Sequence, residues 1–177
     1  MARINALSTT VMPKFVKYIV SANRVLDQST LPASIDELVN IRASQINGCG
    51  ACLDMLIKDA AAAGESPLRL SLVAAWRETT VFTDAERAAL ELTEQATRLA
   101  DGHGIDDAVW ADAAAHFDDE QLAALVARIS LINAFNRMNV ILQEKGGSYD
   151  PAHRAAAIAA ATAGSDPAHA TLERAAV

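Results

Sequence analysis

The chain has few aromatic side chains, no basic cluster, no long apolar run and only two cysteines. Aromatic residues make up 5% of its 177 residues, whereas 51% are hydrophobic and many of those are alanine. Sheets favour aromatic and β-branched side chains, so this composition favours thin, closely packed helices over a β-sandwich or barrel. The length suits one domain with a core of its own. Because small side chains bury little apolar area, we expect subunit contacts to supply part of the stability.

Charge and hydropathy argue against several classes of partner. The net charge is −7, and the basic residues Lys14, Lys17 and Arg24 are scattered, which disfavours nucleic-acid binding. No segment has the composition of a polybasic membrane anchor, and no apolar run approaches the ~20 residues that span a bilayer. Residues 1–20 lack the charged-then-apolar pattern of a signal peptide. We therefore expect a cytoplasmic protein with neither a nucleic-acid nor a membrane partner.

Turn and capping signals predict an all-α protein of about six to eight helices. Ser34 with Glu37 and Thr83 with Glu86 have the spacing of capping boxes, which close the first turn of a helix. Together with proline and glycine positions, they place helices from residue 13, at about 34–46, 50–63, 67–76, 83–100, 106–116 and 119–144. We expect a helical domain over residues 1–149. The Ala-rich C-terminal extension over 150–177 either forms one helix or docks on a neighbouring subunit.

The two cysteines, Cys49 and Cys52, follow the turn Asn47-Gly48 and lie at the start of a predicted helix. Residues at i and i+3 of a helix lie on the same side, so the two sulfurs can meet. The helix N-terminus favours negative charge, which lowers a cysteine pKa below its usual ~8.5 and populates the reactive thiolate. A second thiol nearby can convert a sulfenic acid to a disulfide. The pattern therefore suits a peroxidase or a thiol–disulfide exchanger.

Two other interpretations of the cysteine pair need weighing. Zinc binds four ligands, but this pair supplies two and no histidine lies near it in the sequence, so we expect no metal. Two buried, inert cysteines remain an alternative, although their position at a helix start argues against it. In a reducing compartment, cysteines this close in sequence are more often catalytic or metal-binding than structural.

Motifs along most of the chain carry a family resemblance. They are ELV at 37–39, RASQINGC at 42–49, Cys52 with DM at 54–55, KDA at 58–60, AGE at 63–65, AWRET at 75–79, ERAAL at 86–90, NAFNR at 133–137 and GSY at 147–149. Over roughly residues 10–150 the chain resembles the AhpD-like alkylhydroperoxidase branch of the carboxymuconolactone decarboxylase family. The steps of twelve residues from Glu37 to Cys49 and three to Cys52 are specific to this branch.

The resemblance implies an all-helical, oligomeric fold, either a trimer or a hexamer built from dimers. It implies peroxide reduction by Cys49 and Cys52 without a cofactor, with Glu37 as the glutamate of a proton relay. A small dithiol, or a lipoyl- or thioredoxin-like protein, would restore the pair. The residue matching Cys52 usually attacks the peroxide in this family, whereas the first cysteine attacks in thioredoxin-like sites. The order therefore stays open.

One departure from the family pattern bears on the chemistry, because Leu56 stands where relatives carry a histidine. Phe135 also replaces a common tryptophan, a milder change of packing. Across the predicted hairpin Glu37 faces about Lys58, which is about 9 Å beyond Cys52 along the helix axis. Proton transfer needs ~3 Å or one bridging water, and leucine cannot relay a proton. Water could bridge the gap, His103 or His116 could substitute, or turnover could be poor.

Several residues also have structural interpretations. Glu37 could close the capping box with Ser34, and the histidines, including His153 and His169 in the extension, could simply face solvent or cap helices. Asp54 is interpreted as a solvated helix charge. Trp76 and Phe82 are interpreted as core or interface anchors.

Three functional hypotheses follow. The leading one is a thiol-dependent peroxidase that acts on hydrogen peroxide or a small organic hydroperoxide. The second is a non-catalytic redox-sensing or assembly module with a reversible disulfide, which the leucine at position 56 motivates. The third is a decarboxylase or related lactone enzyme, which the cysteine pair disfavours because decarboxylases of the wider family lack it.

Overall fold

A computed structural model describes residues 2–102 and 104–152 of the chain. Within those residues it contains seven α-helices and no strand, so the prediction of an all-α protein is confirmed. The helices are α1 (Met12–Leu26), α2 (Ala33–Asn47), α3 (Gly50–Ala62), α4 (Pro67–Leu72), α5 (Asp84–Thr97), α6 (Asp107–His116) and α7 (Asp119–Leu142). There are also two 3-10 helices: Ala6–Ser8, before α1, and Val73–Glu78, directly after α4. His103 and residues 153–177 lie outside the described residues, so the Ala-rich extension stays a prediction.

Local capping explains where two of these helices begin. Thr83 and Glu86 form the predicted capping box of α5, in which each side chain accepts a backbone N–H of the other residue. Asp118 and Gln121 form an equivalent box on α7 that the sequence analysis did not identify.

The predicted capping box of Ser34 with Glu37 is wrong. Helix α2 begins at Ala33 after Pro32, and no side chain caps it. Ser34 already lies inside the first turn, where its backbone is helical and its hydroxyl cannot occupy the cap position. Glu37 therefore does not form the capping contact that its spacing from Ser34 predicted.

Helix α2 is the centre of the fold and packs against α3, α5 and α7. Ile35 and Val39 on one side join an apolar cluster with residues of α5, α6 and α7. The opposite side of α2 joins what we call the α3-side cluster: Leu38, Ile41, Ala60, Leu70, Val73, Trp76, Phe82 and Leu90. Trp76 and Phe82 are each 5% exposed, which confirms their interpretation as core anchors. A helix buried on both sides fixes the position of whatever follows its C-terminus, and here that is the cysteine pair.

A buried carboxylate ties α2 to α5 and to the 3-10 segment. Glu94 on α5 is 4% exposed, and its Oε1 accepts hydrogen bonds from Arg42 Nε at 2.7 Å and Trp76 Nε1 at 2.9 Å. Its Oε2 accepts from Arg77 at 2.8 Å and Arg98 at 3.0 Å. Burial alone would raise the pKa of Glu94, but the hydrogen bonds from Arg77, Trp76 and Arg42 outweigh it and hold the pKa at about 2.

None of the helices in residues 2–102 and 104–152 combines the length and apolar character needed to cross a membrane.

The charge on Glu94 should make folding stability acid-sensitive. Its pKa is about 2 in the folded protein against a model value of 4.5. The stabilisation is therefore complete above pH ~4.5 and is lost as the pH falls toward ~2. We expect Glu94→Gln to lower the free energy of unfolding at neutral pH by ~3–5 kcal/mol, because the buried guanidinium group of Arg42 loses its counter-ion. Urea unfolding on both sides of pH ~4.5 measures both effects.

The control for this prediction is Glu91→Gln. Glu91 is more exposed than Glu94, and of the three arginines that pair with Glu94 it pairs only with Arg77. An exposed pair contributes at most ~1 kcal/mol, so this variant should lose little stability. Equal losses in the two variants would contradict the assignment.

Candidate functional site

The cysteine pair lies where the chain reverses between α2 and α3. Gly48 ends α2 in the left-handed conformation, with φ 66°, which glycine adopts without steric cost. Cys49 is then the N-cap of α3, and its backbone N–H donates to the Ser44 carbonyl at 3.0 Å. Cys49 and Cys52 are joined by a disulfide with their Cα atoms 5.3 Å apart. The predicted helix start and the predicted meeting of the two sulfurs are both present.

Each sulfur of the disulfide has its own hydrogen-bond donor. Cys49 Sγ accepts from the backbone N–H of Cys52 at 3.3 Å, at the N-terminus of α3. Cys52 Sγ accepts from the side-chain amide of Asn139 at 3.4 Å. Cys49 is 1% exposed and Cys52 is 3% exposed. The two sulfurs therefore lie beneath the surface, and a reagent can reach them only if the protein opens locally.

Asn139 belongs to a stripe of three asparagines on α7 that the sequence analysis missed. Asn133 and Asn136 both accept from the Asn47 amide at 2.9 Å, so they hold the turn before the cysteines. Asn136 also donates to Ser44 Oγ at 2.9 Å. The signal was present in the sequence, because asparagines at 133, 136 and 139 recur at i+3 spacing and share one side of a helix.

The segment after α7 returns to α3 and lies across its first turns. We call this segment, Gly146–Tyr149, the C-terminal strap. Asp54 Oδ2 accepts the backbone N–H of Gly147 at 2.5 Å and of Tyr149 at 3.0 Å. Lys58 pairs with Asp54 at 2.7 Å and donates to the Tyr149 carbonyl at 2.8 Å. The interpretation of Asp54 as a solvated charge is therefore wrong, because this carboxylate holds the strap.

Hydrogen bonding also shifts the ionisation of Asp54. The hydrogen bond from Lys58, followed by those from the backbone of Tyr149 and Gly147, lowers the pKa of Asp54 to about 2. Asp54 is thus ionised throughout the physiological pH range and stays a competent acceptor.

Two further contacts fix the path of the strap. The Tyr149 hydroxyl donates to Asp59, the residue after Lys58, at 2.7 Å. At the other end, Gly146 packs so closely on Gly50 that a Cβ there would overlap the Gly50 carbonyl oxygen and lie 3.0 Å from the Asp54 Cβ. Gly50 is part of the cysteine motif, so the strap touches the motif itself.

Glu37 is half-buried on α2, and no hydrogen bond joins it to either sulfur within the described residues. Burial raises its pKa, and the neighbouring charges of Glu65 and Asp36 raise it further, against an opposing effect of Arg69. The charge of Asp59, in the third turn of α3, raises this pKa as well.

Leu56 and the candidate substitute histidines do not complete a relay within one chain. Leu56 packs against the α3-side cluster. His116 lines an open pocket with Pro32 and Phe117, beside the start of α2. The cysteines follow the other end of α2, about 20 Å away along a 15-residue helix. His116 of the same chain is therefore too far from the sulfurs to replace the missing histidine, and His103 lies outside the described residues.

No group of three or more His, Cys, Asp or Glu residues in 2–102 and 104–152 has the geometry of a metal site.

Comparison with known proteins places this site in a family. The sequence model of the Carboxymuconolactone decarboxylase family matches residues 13–95. YdfG of Bacillus subtilis strain 168, a protein of uncharacterised function, is 33% identical over 138 residues, which cover 78% of this chain and 93% of YdfG. The uncharacterised YnjA of Escherichia coli K12 is 37% identical over 112 residues, or 63% of this chain and 60% of YnjA.

A solved structure extends the likeness to three dimensions. A protein of unknown function from Agrobacterium tumefaciens, described as a putative antioxidant defence protein AhpD, superposes with a TM-score of 0.78 at 31% identity. The match covers 84% of this chain and 100% of that one. The match extends over much of the described chain and well beyond the cysteine motif.

The close packing of the strap on Gly50 predicts that Gly146→Ala uncovers the cysteines. The added methyl group overlaps backbone atoms, which cannot rotate away, so the strap must move. Overpacking typically costs ~1–3 kcal/mol, equivalent to a change of ~5- to 150-fold in the equilibrium constant of a local opening. We expect alkylation of the reduced thiols to accelerate by a factor in that range, measured by mass spectrometry over time.

Gly102→Ala is the matched control, because its added methyl group meets only the Arg98 carbonyl oxygen at 3.9 Å. This variant should alkylate at the wild-type rate. A Gly146→Ala rate equal to the control rate would mean that the strap does not limit access to the sulfurs.

Proposed function

Because the chain belongs to the AhpD-like branch of the carboxymuconolactone decarboxylase family, we propose that it is a thiol-dependent peroxidase. The observation that carries the proposal is the Cys49–Cys52 disulfide at the start of α3, with a separate hydrogen-bond donor for each sulfur. A pair that closes a disulfide and whose sulfurs are also stabilised as thiolates suits a two-electron redox cycle.

The proposed cycle uses two sulfurs and one peroxide. The Cys52 thiolate attacks one peroxide oxygen, the O–O bond breaks, and the departing oxygen takes a proton and leaves as water or an alcohol. Cys52 is then a sulfenic acid, and the Cys49 thiolate attacks its sulfur, so that the S–S bond forms and the hydroxyl group leaves as water after protonation. A dithiol restores the pair by thiol–disulfide exchange and is itself oxidised to a disulfide.

We assign Glu37 the proton transfers of this cycle. Burial raises its pKa, and such a shift brings a carboxyl group closer to the neutral pH at which it can both accept and release a proton. Leu56 supplies no polar atom between Glu37 and Cys52, so a water molecule has to bridge them. We therefore propose a slower enzyme than relatives that carry the histidine.

The burial of the sulfurs limits the size of the substrate, whereas the proposed reductant follows from the family resemblance. Hydrogen peroxide or a small organic hydroperoxide can enter during a limited local opening, whereas a large hydroperoxide cannot. We propose a small dithiol, or a lipoyl- or thioredoxin-like protein, as reductant, in a cytoplasmic homo-oligomer. The Agrobacterium relative, described as a putative antioxidant defence protein, is consistent with such a role.

A redox-sensing or assembly module without turnover is the second candidate. The apolar packing of Leu56 and the near-complete burial of both cysteines favour it, because they remove a relay group and restrict access. No observation favours a decarboxylase. The arginines that the fold brings together, Arg42, Arg77 and Arg98, already pair with the carboxylate of Glu94.

The peroxidase proposal predicts that both cysteines are needed for turnover. We expect the wild-type protein to consume peroxide with dithiothreitol as donor, and Cys49→Ser and Cys52→Ser to fall to the background rate. Stopped-flow or coupled peroxide assays measure the rates. Cys52→Ser should also fail to form a sulfenic acid, whereas Cys49→Ser should accumulate one that a dimedone probe can trap.

Equal peroxide consumption by all three proteins would exclude the proposal. A disulfide that forms reversibly without turnover, together with a change in molecular size on reduction, would support the assembly module instead.

The absence of a relay histidine at position 56 predicts that introducing one raises the peroxidase activity. Leu56→His should raise the peroxidase rate at neutral pH by about tenfold or more, because general acid–base groups contribute ~10²–10⁴-fold. Adding Glu37→Gln to Leu56→His should remove the gain. Steady-state rates as a function of pH measure both effects.

Ile57→His is the matched control, because Ile57 is also half-buried on α3 and packs against the same cluster but points in another direction around the helix. It should lose stability without gaining activity. A rate for Leu56→His no higher than that of wild type would mean that the site is adapted to leucine.

A further inference from the structure

We propose that Asn139 on α7 stabilises the thiolate of Cys52 and thereby makes Cys52 the sulfur that attacks the peroxide. The inference rests on the proposed function for its role in turnover, but its physical content is a property of the reduced cysteine alone. It assigns a catalytic residue because the Asn139 amide contacts a reacting atom.

The geometry supports a donor that acts on one sulfur only. Asn139 Nδ2 lies 3.4 Å from Cys52 Sγ, and in the described part of the chain it forms no hydrogen bond with Cys49. A thiolate can only accept hydrogen bonds, so the amide must present its N–H₂ group to it. Cys52 is 3% exposed, so little solvent competes with this donor and the contact is stronger than at the surface.

Contacts of the backbone fix the position of Asn139. Its carbonyl accepts the N–H of Glu144 at 2.9 Å, and Gln143 in the left-handed conformation, with φ 60°, ends the helix four residues after Asn139. The strap that follows is bound to Asp54, two residues beyond Cys52. Both ends of the segment from 139 to 149 are therefore attached to α3, which keeps the amide close to the sulfur.

The two sulfurs differ in the kind of donor they receive. Cys49 relies on the backbone N–H of Cys52, which every residue at that position would supply. Cys52 relies on a side chain from a helix that is distant in sequence. Which of the two thiols ionises more readily therefore depends on the residue at 139, and asparagine favours the thiolate of Cys52.

This donor serves both halves of the cycle. When a dithiol attacks Cys49 Sγ, the S–S bond breaks and Cys52 leaves with the electron pair as a thiolate, which the amide stabilises. The same thiolate is then the nucleophile for the next peroxide. Stabilising it raises the thiolate fraction and improves Cys52 as a leaving group.

The test isolates one thiol at a time. In a Cys49→Ser background, where only Cys52 remains, we compare asparagine at 139 with Asn139→Leu, which is similar in size but has no donor. Ultraviolet absorbance of the thiolate as a function of pH should show the Cys52 pKa rising by about one to two units. Asn139→Asp should raise it further, because a carboxylate repels the thiolate, and Asn139→Gln should partly restore the wild-type value.

The matched control is the same set in a Cys52→Ser background. The pKa of the remaining Cys49 thiol should change little between asparagine and leucine at 139. Equal shifts of both thiols, or no shift of Cys52 in a variant that folds with wild-type helical content, would overturn the inference and leave Asn139 a packing residue. Because this measurement needs no peroxide turnover, a protein without peroxidase activity could still show the shift, so the two proposals fail separately.

Discussion

The site depends on one abrupt reversal of the chain, at Gly48. Its left-handed backbone ends α2 and lets Cys49 cap α3 within a single residue. Because α2 is buried on both sides, this reversal occurs at a fixed place in the core, and the helix that starts there carries the disulfide, whose Cys52 sulfur contacts α7. The asparagines of α7 then hold the turn by side-chain hydrogen bonds to Asn47 and Ser44, instead of by apolar packing. The disulfide thus lies at the junction of three helices.

Features carried by neighbouring residues could be predicted from the sequence. The helix start at Cys49 and the Thr83–Glu86 capping box depend on contacts three residues apart, and both are present. The box expected at Ser34 failed because Pro32 favours an extended backbone and takes the cap position itself, so α2 begins two residues earlier, at Ala33. A motif of the right spacing does not by itself decide the register of the first turn.

Features carried by distant residues could not be predicted. Asp54 has the sequence context of an exposed helix charge, and only the return of the strap turns it into an acceptor for two backbone N–H groups. Asn139 was overlooked for the same reason, because its partner Cys52 lies 87 residues earlier. Glu37 is an intermediate case, since the family resemblance indicated a proton role while its raised pKa follows from burial within the fold.

The distance in sequence between the strap and α3 also determines when the site is completed during synthesis. The contacts of Asp54 with Gly147 and Tyr149 join residues 93 and 95 apart, and contacts of such long range form late in folding. A chain emerging from the ribosome presents its cysteines long before residues 139–149 exist to cover them. Until translation passes Tyr149, these thiols are open to any oxidant or thiol in the surroundings, and the molecule encloses them only once residues 139–149 have folded onto α3.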